Sequence, residues 1–229
     1  RSDDGSFVRG LYGRNSNRIS RVAWAPDGET IVTGDLDGGV FLWDANAGTM
    51  LFELEGHGCE VDDAGQQACA IWQLEYSKDS RFLATLGRDR TLRLWDVYSR
   101  ETLTVLRQDG AIISSVDFSD DASRVVTGAW DGNARLWEVD SGPAKAVMGR
   151  RAKWMTEVAY APDGQTLAIG SGNEGILELH SVADGSWIDT LPYHTNELTR
   201  LEFSADGKRL LSASYDWSVA IWKLDARET

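Results

Sequence analysis

Two cysteines and three histidines are the side chains in this 229-residue sequence best suited to metal binding or redox chemistry. Cys59 and Cys69 flank a short stretch that contains Asp62 and Asp63, and His57 comes just before it. Thiolate, imidazole and carboxylate all bind zinc, but this spacing matches no closed zinc site. A disulfide across the short loop is the other reading. Because the sequence shows no secretory signal, we expect reduced thiols and no bound metal.

Closely spaced aspartates are a second candidate for chemistry. The segment Asp35-Leu36-Asp37-Gly38 begins like a calcium-binding loop, but the later ligands and the terminal glutamate are missing. Asp-Gly pairs recur at one phase of the sequence, at Asp27, Asp163 and Asp206. Both residue types favour tight turns, so the recurring pairs predict turns rather than ion sites.

Composition excludes several classes of function. The net charge is −13, and the acidic residues are spread through the chain, so the surface is expected to repel nucleic acid and anionic lipid. No apolar run approaches the roughly 18 residues that span a bilayer. The sequence also lacks a nucleophile motif, a phosphate-binding loop and a dinucleotide fingerprint. We therefore expect a cytoplasmic protein with no cofactor and no nucleic-acid or membrane partner.

The elements that would position these residues follow one repeated pattern of strands and turns. Its clearest copy predicts strands at 198–203, 209–213 and 218–222. Alternating apolar residues place one face of each strand against a buried surface. In the earlier copies a further apolar stretch, such as Met50–Leu54, adds a fourth strand. Each copy therefore predicts one small antiparallel sheet.

The residue that ends the third strand recurs with a period near 42. Its occurrences are Trp43, Trp95, Trp137, His180 and Trp222, which are 52, 42, 43 and 42 residues apart. Such a period indicates a repeat array, in which small sheets bury their faces by stacking on one another. We therefore predict a single all-β domain over residues 7–225, with a flexible terminus at 1–6.

This pattern resembles the WD40-repeat β-propellers. The endings Trp43-Asp44 and Trp95-Asp96 match the Trp-Asp signature of that family, and Gly56-His57 matches its Gly-His dipeptide. The resemblance covers nearly the whole chain and implies five visible blades, each a four-stranded antiparallel sheet. The repeats are expected at about 19–57, 70–109, 111–150, 154–194 and 198–225, with an insert loop at 58–69. It also implies that a strand at 7–11 completes the last blade, which would leave no free sheet edge.

Blades of this family are often locked by a histidine, a hydroxyl residue, an aspartate and the tryptophan. The full set is expected at His57, Thr85, Asp89 and Trp95, and again at His194, Ser212, Asp216 and Trp222. In the third repeat Asp109 falls where the histidine would be, and the fourth repeat departs furthest. A buried histidine with both nitrogens bonded has a structural role, so we expect no catalytic histidine.

The resemblance further implies three ligand-facing positions per repeat at the mouth of the central channel. The partner-binding residues assigned in this way are Arg18, Leu36, Trp72, Arg88, Ile112, Trp130, Trp154, Thr156 and Tyr215. Aromatic residues and arginine dominate binding hot spots. We therefore expect a non-catalytic interaction scaffold or sensor module, part of a larger protein or complex. Its partner would be a peptide or partner loop with acidic and apolar residues, other domains of the same chain included.

The alternative is a five-bladed glycoside hydrolase or carbohydrate-binding propeller, with paired carboxylates in the channel. Inward positions near the strand starts are read as Ala23, Gln73, Ser115, Glu157 and Arg200. Only one of these is an acid, so no enzyme is expected.

Overall fold

The computed structural model describes residues 8–11, 18–61, 67–108, 111–139, 141–148, 154–172 and 174–224. In these ranges the chain forms 21 strands and no helix, so the all-β prediction is confirmed. It follows that no helix there is long and apolar enough to cross a membrane. The strands are β1 Ile19–Trp24, β2 Thr30–Asp35, β3 Val40–Asp44, β4 Met50–Leu54, β5 Glu60–Val61, β6 Gln67–Ala68, β7 Ile71–Tyr76, β8 Phe82–Gly87, β9 Leu92–Asp96, β10 Glu101–Leu106, β11 Ile113–Phe118, β12 Arg124–Ala129, β13 Ala134–Glu138, β14 Ser141–Met148, β15 Met155–Tyr160, β16 Thr166–Ser171, β17 Leu177–Ser181, β18 Trp187–Leu191, β19 Leu198–Phe203, β20 Arg209–Ser214 and β21 Val219–Lys223.

In the described residues five antiparallel sheets of three or four strands follow one another along the chain. The strands β1–β4, β7–β10, β11–β14 and β15–β18 form four-stranded sheets, and β19–β21 form a three-stranded one. Within each sheet the strands are neighbours in chain order. Each sheet is therefore a simple meander, as the repeat predicts.

The Asp-Gly pairs form the turns that join first and second strands. Gly207 has a φ of 68°, and its amide donates to the carbonyl of Ser204 at 2.8 Å. The carboxylate of Asp206 accepts the amide of Lys208 at 3.0 Å. Gly28 has a φ of 77°, where a β-carbon would be strained. The interpretation of these pairs as turns is confirmed at both positions.

The sheets bury their faces by stacking. Ile71 and Leu74 on β7 pack against Val32 and Leu42 of the first sheet, and equivalent contacts join the later sheets. A β-carbon on Gly34 would lie 2.6 Å from Ile71 Cγ2, so glycine is what allows the next strand to approach this closely. The first strands of successive sheets also contact one another around a common axis.

The two end faces of this stack are apolar and exposed. On the first sheet Val22 and Trp24 are 67 % and 60 % exposed, and on the last sheet Val219 and Ile221 are 62 % and 71 % exposed. Equivalent residues of the inner sheets, such as Leu74, are buried. In the described ranges no extensive strand contact joins the first sheet to the last. The five sheets therefore form an open arc in which both terminal faces lack the neighbour that the inner sheets have.

The expectation that residues 7–11 complete the last blade is wrong. That sheet has three strands, and residues 8–11 form none. Leu11 instead packs against the cluster of Ile31, Phe41 and Trp43 at the outer part of the first sheet. Gly48 makes room there, because a β-carbon would lie 2.6 Å from Arg9 Cδ. Leu11 thus binds an apolar site on the first sheet instead of pairing with the last one. Phe7 and the predicted terminus 1–6 lie outside the described residues.

The insert at 58–69 forms a small hairpin closed by a disulfide. Strands β5 and β6 pair antiparallel with Glu60 opposite Ala68. This register brings the flanking Cys59 and Cys69 together, with their Cα atoms 4.2 Å apart and their sulfurs bonded. The expectation of reduced thiols is therefore wrong. Asp62 and Asp63 lie outside the described residues, among which no group of three or more His, Cys, Asp or Glu residues is arranged to hold a metal ion.

Candidate functional site

Two blades contain a complete hydrogen-bonded lock. In the second sheet His57 Nε2 lies 2.6 Å from Thr85 Oγ1, and the ring's Nδ1 lies 3.1 Å from Asp89 Oδ1. The indole of Trp95 donates to the same Thr85 hydroxyl at 2.9 Å. Because the His57 side chain is fully buried and both its nitrogens are engaged, this imidazole orders the loop between two blades.

The last sheet repeats this arrangement with serine in place of threonine. His194 lies 2.8 Å from Ser212 Oγ through Nε2 and 2.9 Å from Asp216 Oδ2 through Nδ1. The indole of Trp222 donates to Ser212 at 2.9 Å. Hydrogen bonds from Ser218, the backbone of Thr195 and His194 lower the pKa of the Asp216 carboxyl.

The third blade has a different lock from the one its sequence suggests. Gln108, rather than Asp109, takes the place of the histidine, and its amide nitrogen donates to the hydroxyl of Thr127. Arg135 donates to Gln108 Oε1 at 2.8 Å and to Asp131 Oδ2 at 2.6 Å. Gln108 and Arg135 together therefore link Thr127 to Asp131, a link that a single histidine makes in the two complete locks. Asp109 lies outside the described residues.

The fourth blade lacks the lock. His180 stands where the other blades have tryptophan, and it lies 3.2 Å from the carboxylate of Glu178 and 3.2 Å from the carbonyl of Gly185. Ile169 replaces the hydroxyl residue, so no hydroxyl is available to the ring there. This blade is held mainly by apolar packing of Leu167, Ile169 and their neighbours.

The first strand of each sheet faces the channel with alternate residues. By repeat position the layer nearer the mouth contains Arg21, Gln73, Ser115, Glu157 and Arg200. The next layer contains Ala23, Glu75, Asp117, Ala159 and Glu202. The sequence reading placed Ala23 in the first layer, where Arg21 stands, and it missed Glu75 and Asp117. Both acids lie two residues further along their strands than Gln73 and Ser115. The alternation of side chains in a strand would therefore have predicted that they face the channel.

Three of the channel acids have pKa values that are raised toward neutral pH. Burial raises the pKa of Glu75 to about 7, and the neighbouring Asp117 carboxyl adds to the rise. Burial also raises the pKa of Glu157 to about 7, against the opposing effect of Arg200. For Asp117 burial raises the pKa to about 6, although the amides of Tyr160 and Phe118 donate to its carboxylate. For each group, the loss of water around the charged carboxylate is the largest cause of the raised pKa.

Several polar channel residues connect neighbouring blades. The amide group of Gln73 donates to the carbonyl of Val116 at 2.9 Å, and Asp117 Oδ2 accepts the amide of Tyr160 at 2.7 Å. Ser115 Oγ accepts the amide of Val158 at 3.2 Å. These side chains satisfy backbone groups of the next first strand and fix the spacing of the blades.

One backbone contact is repeated at the mouth of every blade. The residue before the first strand accepts a hydrogen bond from the residue in the turn between second and third strands. The donor-to-acceptor pairs are Leu36 to Arg18, Arg88 to Ala70, Trp130 to Ile112, Gly172 to Trp154 and Tyr215 to Glu197, at 2.9 to 3.1 Å. This contact brings two of the three predicted ligand-facing positions of each repeat side by side at the same end of the channel.

The mouth pocket is a cavity of about 250 Å³ at that end. It is lined by Trp72, Ile112, Ser114, Trp130, Thr156, Glu157, Glu197, Leu198, Thr199 and Tyr215. Five of the nine residues predicted to bind a partner, Trp72, Ile112, Trp130, Thr156 and Tyr215, are in this set. Trp130 and Tyr215 are 55 % and 63 % exposed, so their rings are open to a ligand.

The other four predicted residues lie outside the mouth pocket. Arg18, Leu36 and Arg88 are exposed around the first two blades. The Trp154 indole lies over Gly172, where a β-carbon would be only 1.6 Å from its Nε1 atom. Trp154 therefore packs on the turn of its own blade. Glu197 and Thr199, which hold the corresponding ligand-facing repeat positions in the last blade, also line the mouth pocket.

Comparison with known proteins agrees with this architecture. A family model described as "WD domain, G-beta repeat" matches residues 5–44, 48–96, 100–138 and 185–223. The chain belongs to the WD40-repeat family. The stretch between the third and fourth matches contains most of the fourth blade, which is the one that lacks the WD40 lock.

Similarity to individual WD40 proteins is modest. The chain is 27 % identical to autophagy-related protein 16 of Arabidopsis thaliana over 93 % of its own length and 31 % of that relative. It is 28 % identical to eukaryotic translation initiation factor 3 subunit I of Drosophila pseudoobscura pseudoobscura over 43 % of this chain and 28 % of the relative. For WD repeat-containing protein 1 of Rattus norvegicus the identity is 31 %, over 37 % of this chain and 13 % of the relative. The chain thus spans less than a third of the length of these proteins.

Proposed function

We propose that this WD40 chain is a non-catalytic interaction module that captures a segment of a protein partner in the mouth pocket. The observation that carries the proposal is the pair of open aromatic rings, Trp130 and Tyr215, beside a 250 Å³ cavity on a rigid stack of blades. Exposed aromatic residues that surround a pocket are the groups that dominate hot spots. The rim arginines Arg18 and Arg88 can bind acidic residues of the same partner.

The relatives support a role within an assembly. One of them is by its name a subunit of a translation initiation factor. This chain spans less than a third of each relative, so a relative's activity and partners do not transfer to it directly. A protein partner for this chain is therefore a proposal. The comparisons give no support to a glycoside hydrolase. Asp117, one of the channel acids that such an enzyme would use, instead accepts hydrogen bonds from two backbone amides.

The test compares two tryptophans of equal exposure. Trp130 and Trp187 are 55 % and 54 % exposed, but Trp187 lies on the outer strand β18, away from the mouth pocket. Affinity capture on the parent protein, quantified by mass spectrometry, should show Trp130→Ala losing partner binding by about thirty-fold, as a hot-spot residue worth about 2 kcal/mol does. Trp187→Ala should retain it. Equal capture by both variants would rule out the mouth pocket as the binding site.

A further inference from the structure

The mouth pocket combines aromatic walls with carboxylates and contains no base. Trp72, Trp130 and Tyr215 supply the rings, and Glu157 and Glu197 are the charged residues in its lining. In the described part of the chain, no lysine or arginine nitrogen lies within 4 Å of either carboxylate. A ligand that enters the pocket therefore meets two carboxylates without a basic partner at ion-pairing distance.

Two channel arginines, Arg21 and Arg200, stand in the same layer as Glu157 but outside the lining of the mouth pocket. Arg21 Nε donates to the carbonyl of Trp72 at 2.6 Å, and its Nη1 donates to the carbonyl of Ser20 at 2.7 Å. Arg200 lines the adjoining part of the channel, and its charge favours the ionised form of Glu157. Neither arginine lines the mouth pocket. The lining of the mouth pocket itself therefore has two carboxylates and no positive charge.

We infer that the mouth pocket receives a lysine or arginine side chain of the partner segment. The inference rests on the proposed function and specifies the residue that anchors the partner. A guanidinium or ammonium group is attracted to the face of an indole ring and pairs with a carboxylate. A neutral or acidic side chain would desolvate Glu157 and Glu197 without compensation. Acidic partner residues would then contact Arg18 and Arg88, outside the pocket.

Titration of Glu157 gives this recognition a pH dependence. Burial raises the pKa of Glu157 to about 7; Arg200 and a hydrogen bond from Ser115 oppose the rise, and Asp117 adds to it. Glu75, on the first strand of the second sheet, also interacts unfavourably with the ionised form of Glu157. A bound cation favours the ionised carboxylate, so binding releases a proton near neutral pH. Affinity for a basic side chain should therefore rise between pH 6 and pH 8.

The probes are four capped pentapeptides of sequence Gly-Ser-X-Ser-Gly, in which X is arginine, lysine, norleucine or glutamate. Binding is followed by NMR of the indole N–H groups and by tryptophan fluorescence at pH 6 and pH 8. At pH 8 the arginine and lysine peptides should bind about tenfold more tightly than the norleucine peptide, and the glutamate peptide should bind least. The preference should shrink at pH 6, because Glu157 is then largely neutral.

Matched variants separate charge recognition from apolar docking. Glu157→Gln and Glu197→Gln should each reduce the preference for arginine over norleucine. Glu202→Gln, which removes an exposed acid lining the channel away from the mouth pocket, should preserve it. Thermal melts on all three variants check that each one folds.

Three results would overturn the inference: equal binding of the norleucine and arginine peptides, a preference that survives both mouth substitutions, or no binding of a basic peptide at millimolar concentration. In each case, loss of the native partner by Trp130→Ala would leave the proposed function standing. Unchanged partner capture by Trp130→Ala would remove the proposed function itself.

Discussion

His194 Nδ1 lies 2.9 Å from Asp216 Oδ2, so the loop before the last blade is tied to the turn inside it. The other ring nitrogen lies 2.8 Å from Ser212 Oγ, which in turn accepts the indole N–H of Trp222. One buried imidazole therefore joins three parts of the blade. Its hydrogen bonds hold these three parts of the blade together.

The first prediction concerns this lock. His194→Ala should lower the free energy of unfolding by about 1 to 3 kcal/mol, because the buried hydroxyl of Ser212 loses a partner. Thermal or urea unfolding measures the change. Thr195→Ala is the matched control, since Thr195 is exposed and bonds Asp216 through its backbone amide, which the substitution keeps. Similar melts for both variants would show that the imidazole does not hold the blade together.

The second prediction separates core tryptophans from those at the mouth. Trp95 is 2 % exposed, and Trp95→Ala should cost about 3 to 5 kcal/mol of unfolding free energy. Trp130→Ala should cost under about 1 kcal/mol, because that side chain is mostly in solvent. Trp72→Ala should fall between them, since its ring packs against the core cluster between the second and third blades. Urea unfolding of the three variants gives the ranking, and a Trp130→Ala protein as unstable as Trp95→Ala would contradict it.

The third prediction concerns pH. Burial raises the folded-state pKa of Glu75 from 4.5 to about 7; Asp117 and Glu157 add to the rise, and Arg200 and Gln73 oppose it. The folded chain therefore holds this proton more tightly than the unfolded chain, and the stability that the neutral form provides is lost as pH rises from about 4.5 through 7.

Replacing Glu75 by glutamine removes this titration. The difference in unfolding free energy between Glu75→Gln and the parent should favour the variant by about 1 to 3 kcal/mol more at pH 8 than at pH 4. Urea unfolding at the two pH values measures the difference. Glu53→Gln, at an exposed position on the outer strand β4, is the matched control. A constant difference between Glu75→Gln and the parent at both pH values would mean that the carboxyl is not desolvated in the channel.

The fourth prediction concerns the disulfide. The double variant Cys59→Ser, Cys69→Ser should lose at most about 3 kcal/mol of stability, because the closed loop is short. Reductant should lower the melting temperature of the parent toward that of the variant and leave the variant unchanged. A parent that melts identically with and without reductant would show that the bond adds nothing to the fold.

The fifth prediction concerns the exposed end faces. The 229-residue chain should bind the apolar dye 1-anilinonaphthalene-8-sulfonate, because Val22, Trp24, Val219 and Ile221 are all more than half exposed. Ile221→Lys should reduce the dye fluorescence, and so should Val22→Lys at the opposite end. Val105→Lys, on the outer strand β10, is the control and should have little effect. Fluorescence that survives both end-face substitutions would place the apolar surface elsewhere.

Local patterns in the sequence determined the blades. Alternation with a period of two specifies which face of a strand is buried, and pairs such as Asp206-Gly207 specify where the chain reverses. Both signals act over a few residues, so they can be read without knowing what lies nearby in space. The spacing of Trp43, Trp95, Trp137 and Trp222 then identified the repeat, and the family resemblance indicated the residues of the lock.

Only the tertiary structure decided how separate blades meet. Pairing of β5 with β6 brought Cys59 and Cys69 together, and an apolar site on the first sheet captured Leu11. Stacking of the sheets determined which of the predicted residues line one pocket. It also buried Glu75 and Glu157 away from water. These outcomes depend on contacts between segments far apart in the chain and on the loss of water around charged groups. A local sequence pattern contains neither kind of information, because both arise only when the sheets pack.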